Sequence, residues 1–319
     1  MSCVSAVAVI DALTGAGHRV IPVGIDRDGA WFLADGAQNP LVASGRSASL
    51  RLPEGTLHAA GDEIGFDVVF PVLHGPFGED GTIQGVFEMA GVPYVGCGVL
   101  SSALAMDKDN AKRVIEAAGI ATTPWMIVRS GDFDDPGGAV ERLVDALGLP
   151  LFVKPAELGS SVGISRADTE AEVKDGILSA LGYGNKVIVE EAIQGREIEV
   201  AVLEGPRVSV PGEIITGEQW YDYDAKYNDE GSECVAPADL TDSEVALVRE
   251  LAGRAFTALE CRGLARVDFL YEKGGRGFLL NEVNTMPGFT PISGFPKMWQ
   301  ASGMSYPELC NELVQLALG

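Results

Sequence analysis

Two carboxylates and an amide near the end of the chain have the spacing of a cation site. Glu282 and Asn284 are two residues apart, so on a β-strand both point to one face, and an antiparallel neighbour carrying Asp268 would set a third oxygen donor beside them. Oxygen donors gathered in this way suit Mg²⁺, which retains waters and bridges substrate phosphates. The other reading is a solvated sheet face, but the apolar flanks (RVDFL and FLLNEVN) would make uncompensated acids costly there.

Two lysines stand where phosphates could be met. Lys108 opens a predicted helix, and Lys154 ends a predicted strand just before a Gly/Ser loop, AELGSSVG, at 156–163. Glycine lets backbone N–H groups approach an anion closely, so such a loop can close over phosphates. The loop is not the GxxxxGK[ST] phosphate loop, and on spacing alone Lys108 reads as a surface lysine.

The elements that must position these residues follow from periodicity and turn signals. A helix is expected at 2–13, a short strand at 18–25 and a buried strand at 66–73 (FDVVFPVL). The loop HGPFGEDG (74–81), a helix at 82–90 and a short strand around Tyr94 complete a first region in which helix and strand alternate, implying a parallel sheet. Asp107 is a fitting N-cap for a helix running to about Ala118, with Gly119 just past its end. Strands at 125–128 and 151–154, helices at 139–147 and 170–181, and strands at 186–191 and 196–203 follow. Residues 216–237 lack apolar periodicity and read as one long loop, of the kind that serves as a lid or binding element. A helix at 243–259, adjacent strands at 264–271 and 277–284, and a helix at 307–318 close the chain.

Bulk properties narrow the class. The 319 residues are enough for two or three domains with packed cores. A formal charge of −23 repels nucleic-acid backbones and anionic membranes alike, which argues against both as partners. Five scattered cysteines without a CxxC pair fit a reduced cytoplasm better than a disulfide framework or a zinc site. No apolar run reaches the roughly 18 residues of a membrane span.

Seven segments carry a more specific signal: HGPFGEDGTIQG, GVPYVGCGVLSSALAMDKDNAK, FVKPAELGSSVG, VEEAIQGREIEVAVL, YDYDAKY, ARVDF and LNEVNTMPGFTPIS. In this order they resemble the D-alanine–D-alanine ligases of the ATP-grasp fold, over essentially the whole chain. The resemblance implies an α/β and α+β protein, with an N-terminal parallel-sheet domain (1–101), a central ATP-grasp subdomain (102–185) and a C-terminal one (186–319) that includes the 216–237 lid. It implies ATP-dependent joining of two D-alanines through an acyl phosphate for peptidoglycan precursor synthesis, in a cytoplasmic homodimer with two Mg²⁺ ions, Mn²⁺ being able to substitute.

By that resemblance Lys108 and Lys154 hold the phosphates, Glu190 and the backbone around Ala192 the adenine, and Glu197 the ribose. Asp268, Glu282 and Asn284 bind Mg²⁺. Arg266 and the backbone N–H of Gly288 face the developing oxyanion, a structural ion pair being the other reading of Arg266. Ser293 receives the second alanine's carboxylate. Lys226 meets the transferred phosphate, Tyr227 bonds to Ser160, and His74 and Glu79 shape the first alanine's pocket.

The chain departs from the family pattern at its start. Family members open with a strand, a glycine-rich turn and a segment similar to S-x-E-H-x-V/I-S, whose Glu binds the first alanine's ammonium. Here MSCVSAVAVIDAL aligns with the helix after that Glu, so Met1 is expected to be an internal residue, a valine codon read as a start. Two alternatives follow from the resemblance: a nucleotide-binding protein with impaired ligase activity, or a ligase whose second substrate is D-serine or D-lactate.

Overall fold

The computed structural model describes residues 2–34, 44–133, 135–159, 162–215 and 233–319. The first helix, α1 (Ser2–Gly15), buries Ser5, Val9, Ala12 and Leu13, one helical stripe. It packs against the last helix, and Leu13 shares an apolar cluster with Leu309, Leu313 and Val314.

Residues 23–64 form an antiparallel meander, β1 (Val23–Ile25), β2 (Trp31–Ala34), β3 (Gly45–Arg51), β4 (Thr56–Ala59) and β5 (Asp62–Ile64), paired in sequence order. The parallel sheet expected in this region is confined, among the described residues, to a bridge between Val69 and Tyr94. Instead of a ladder strand, 66–73 is extended chain bonded at Val69 to 93–95. With α1 and residues 18–25 it lines an apolar cleft of about 390 Å³. A segment that meets a cleft in place of a second strand cannot build a ladder. The expected 18–25 strand likewise shortens to β1.

Helix α2 (Thr82–Ala90) lies where the sequence puts it, and α3 (Val99–Met106), which periodicity did not reveal, leads into α4 (Lys108–Ala117). The Asp107 side chain accepts from the Asn110 N–H to cap α4, and Gly119 past its end has φ 73°, as expected.

A four-stranded sheet of β6 (Trp125–Arg129), β7 (Leu151–Pro155), β8 (Ser165–Ala167) and β9 (Lys186–Glu191) has the order β6-β9-β7-β8. Helices α5 (Pro136–Leu147) and α6 (Glu170–Leu181) cover one face, where Leu143 and Ile177 pack on Val153 and Val189. The opposite face carries Lys154 and Glu190. Because β9 lies inside this sheet, a boundary at 185/186 would cut through it.

The second of the two sheets that follow the meander is six-stranded and contains β10 (Arg196–Leu203), β11 (Arg207–Val208), β12 (Gly212–Ile215), β13 (Glu233–Val235), β14 (Leu264–Glu272) and β15 (Gly277–Asn284). The long loop read over 216–237 thus ends in an edge strand, β13, paired with β12, because alternate backbone groups there complete a ladder; residues 216–232 lie outside the described ones. On one face Ile198, Val200, Val202, Val267 and Phe269 pack under α4 and α7 (Asp242–Ala258). On the other, Ala201, Leu203 and Leu264 pack against α8 (Gly294–Ala301) and α9 (Tyr306–Leu318). Along that second face the same strands continue as Glu199, Glu197, Arg266 and Asp268, so it changes from apolar to charged partway along the strands. The two sheets meet where Thr123 N–H donates to Leu280 O and Leu280 N–H donates to Ala121 O. None of the helices in the described residues is long and apolar enough to cross a membrane.

Candidate active site

The charged half of the second sheet is built by strand register. Asp268 stands directly opposite Glu282, and Arg266 opposite Asn284, so all four share a face. Between Asp268 and Phe269 the register slips by one, because Phe269 pairs with Leu280 and leaves Asn281 as an extra residue. Such bulges re-aim side chains beside functional sites, and this one brings Glu282 opposite Asp268. On the other side of β14, Glu199 is the cross-strand partner of Asp268.

Arg266 is the hub of this face. Its guanidinium grips Asp268 in a fork, with Nε to Oδ1 at 2.8 Å and Nη2 to Oδ2 at 2.7 Å, and Nε lies 3.1 Å from Glu199 Oε1. Burial opposes its charge, but Asp268 and Glu199 outweigh burial and raise its pKa well above the usual arginine value. Asp268 therefore bonds to Arg266 as well as facing Glu282. The donor set of two carboxylates and an amide oxygen on one sheet face fits a hard divalent cation.

The second group lies on α4 and the four-stranded sheet. Lys108 is buried, and its Nζ donates to Leu158 O at 2.6 Å, so it belongs to the Gly/Ser loop and is no surface lysine. Lys154 Nζ meets Glu190 Oε2 at 2.5 Å. Glu190 also takes Lys112 Nζ on Oε1 at 2.6 Å and the Thr123 hydroxyl at 3.0 Å. Burial alone would raise the Glu190 pKa, but the two ammonium groups hold it well below the carboxylate range. The Ala192 N–H donates to Pro150 O at 3.1 Å, so contact with a base through this residue would use its carbonyl. Glu197 lies across from Ile214 and Leu270 on the charged face.

The first region contributes His74 and Glu79. His74 Nδ1 lies 3.0 Å from Met286 O and Nε2 3.0 Å from Ser5 Oγ, an arrangement that a neutral ring donating from Nδ1 satisfies. Burial lowers its pKa, in keeping with that form. Glu79 Oε1 lies 3.8 Å from His74 Nδ1. Burial pushes the Glu79 carboxyl up to about 7, against the pull of the Gly75 N–H, and Glu282, Arg266 and Lys108 all act on it electrostatically. Glu79 is thus the point at which the three groups converge. Ser293 Oγ bonds to Thr290 Oγ1 at 2.8 Å and accepts from Thr290 N–H at 3.1 Å, and a Cβ on Gly288 would come within 3.3 Å of it. Ser160, Lys226 and Tyr227 lie outside the described residues.

Lys112, Thr123 and Glu199 belong to these groups without having been picked out from the sequence. For Lys112 a signal existed: it is four residues after Lys108 in MDKDNAK, hence on the same helical face.

Comparison with known proteins bears on this arrangement. The family model described as D-ala D-ala ligase N-terminus matches residues 1–97, and that described as D-ala D-ala ligase C-terminus matches 114–315. The chain belongs to the D-alanine–D-alanine ligase family. A D-alanine--D-alanine ligase of Paenarthrobacter aurescens is 46% identical over 345 residues, covering 100% of this chain and 91% of the relative. One of Streptomyces avermitilis is 44% identical over 351 residues, with 100% and 90% covered. Among solved structures of the family's fold, the D-alanine-D-alanine ligase of Coxiella burnetii superposes with a TM-score of 0.87 at 34% identity, covering 99% of this chain and 89% of that one. The VanG D-Ala:D-Ser ligase of Enterococcus faecalis gives the same TM-score and identity, with 99% and 94% covered. The mixed α/β, ATP-grasp architecture expected from the motifs is therefore that of the family.

Proposed function

We propose that this member of the family joins two D-alanines at the expense of ATP, forming an acyl phosphate on the first and a peptide bond to the second. The observation that carries this reading is the convergence at Glu79 of the Arg266–Asp268–Glu282 face, the Lys108 loop contact and the His74 pocket. Family membership at 46% identity supports the substrate class.

In this reading Lys108 and Lys154 draw the polyphosphate against the 156–163 loop, and Glu190, with the carbonyl of Ala192, borders the base. Glu197 lies on the charged face where a ribose would extend. Asp268, Glu282 and Asn284 would hold Mg²⁺, which when bound supplies charge neutralisation between phosphate oxygens. Arg266 is fixed by two carboxylates before any substrate arrives, so its donors are preorganised for an oxyanion formed when the second amine attacks; the Gly288 N–H is the candidate second donor. In the same reading Ser293, which bonds to Thr290, receives the second substrate's carboxylate. His74 and Glu79 border the first substrate, and an ammonium arriving beside the buried Glu79 would draw its carboxyl back to the charged form. Lys226, Tyr227 and Ser160 keep the roles that the resemblance gives them.

The equal likeness to a D-Ala:D-Ser ligase keeps D-serine as a second reading for the acceptor. Competition between D-alanine and D-serine, with products identified by mass, tests both. Excess D-alanyl-D-alanine supports the proposal, and D-alanyl-D-serine as the main product supports the alternative.

A further inference from the structure

Lys112 is the most deeply buried cation in the nucleotide half of the site. Its side chain is 1% exposed, against 12% for Lys154, and both ammonium groups meet the same carboxylate, that of Glu190. The donors of Lys112 are fully engaged: Glu190 Oε1 at 2.6 Å, Thr123 O at 3.1 Å and the Thr123 hydroxyl. An ammonium has three N–H groups, so none remains for a ligand. The Trp125 ring, 5.5 Å from Nζ, closes the site on another side. The Thr123 hydroxyl donates its own hydrogen bond to Glu190. Lys112 is thus locked in place, whereas Lys154 is the penultimate residue of β7, two residues before the loop that begins at Ala156.

Glu190 therefore has two counter-ions of different kinds, one enclosed and one at the rim. If Lys154 turned to a phosphate, Glu190 would keep a full partner in Lys112. Were Lys112 absent, the same movement would strip a buried carboxylate of its last counter-charge, which is strongly unfavourable. We propose that Lys112 is a positioning residue: as the standing counter-ion of Glu190, it releases Lys154 from that carboxylate to nucleotide phosphate. This rests on the reading that Lys154 contacts phosphate.

The test compares the affinities of adenosine, ADP and ATP for the full chain by calorimetry. Lys112→Met should lower ATP and ADP affinity at least tenfold while changing adenosine affinity less than threefold, because only the phosphate-bearing ligands require Lys154 to move. In the Glu190→Gln background there is no buried carboxylate for Lys154 to abandon, so Lys112→Met should cause no further loss of ATP affinity; this pair also serves should the single variant fold poorly. Equal losses for adenosine and ATP, no loss for either, or a further loss in the Glu190→Gln background would overturn the inference. Lys154→Met separates the two levels. If it leaves ATP affinity unchanged, the phosphate reading itself fails and the inference with it; if it weakens ATP while Lys112→Met does not, only the role of Lys112 fails.

Discussion

Asp268 and Glu282 face each other across the β14–β15 ladder, in a register that exists because Asn281 is an extra residue in β15. Two acids opposed in this way repel unless a cation stands near both, a place that a divalent ion would fill. Glu282→Gln should therefore raise the Mg²⁺ concentration needed for half-maximal ATP turnover by roughly tenfold or more, with little change in the D-alanine KM. A magnesium titration of the variant checks this, and an unchanged requirement would remove Glu282 from the cation site.

Arg266 combines a chemical and a structural role. Arg266→Lys keeps the charge but loses the forked grip on Asp268, and kcat should fall by about 100-fold with the fold retained. Arg266→Met leaves Asp268 and Glu199 without their shared cation and should cost about 3–5 kcal/mol in urea unfolding. If Arg266→Met unfolded like the parent protein, the ion pairs of this face would not be structural.

Glu79 makes stability depend on pH in a definite direction. Its carboxyl is raised from 4.5 to about 7 by burial, so between those pH values the folded state holds a proton that the unfolded state has released. Stability from this group is intact below pH 4.5, falls as pH rises, and is fully lost above about 7, by roughly 3 kcal/mol. Glu79→Gln lacks that loss. Its stability relative to the parent should rise between pH 4 and pH 8, and parallel pH–stability curves for the two proteins would contradict the assignment.

The acidic face was legible in the sequence because strand periodicity is local: two residues apart means one face, whatever the rest of the chain does. Its partners were less legible. Glu199 reaches Asp268 only through a cross-strand register between segments about seventy residues apart, and Lys112 finds Glu190 only once α4 has docked on the four-stranded sheet. The helices at 82–90 and 108–117 were readable from caps and turn glycines. The meander at 23–64 was not, since its strands are short and half-exposed and lack the apolar run that draws attention to 66–73. That run is half-buried, with Val68, Phe70 and Val72 packed on the cluster that holds α1 and α9 and the segment lining a cleft, so its apolar content reports packing rather than pairing.

The join between the first region and the second sheet is tight backbone against backbone. Gly263 has φ 62°, and a Cβ there would lie 2.8 Å from Gly96 N and 2.9 Å from its Cα. Gly263→Ala should destabilise by about 2 kcal/mol or more, from the left-handed backbone and the clash together. Thermal unfolding of the variant measures it, and a Tm equal to that of the parent would mean that the two segments separate easily.

The central claim is dipeptide synthesis, and its most direct measurement is phosphate release from the purified protein with ATP, Mg²⁺ and D-alanine, with the product identified by mass. The account predicts D-alanyl-D-alanine in equal amount to phosphate, with neither formed when D-alanine is withheld. ATP binding without dipeptide, or phosphate released in the absence of D-alanine, would contradict it.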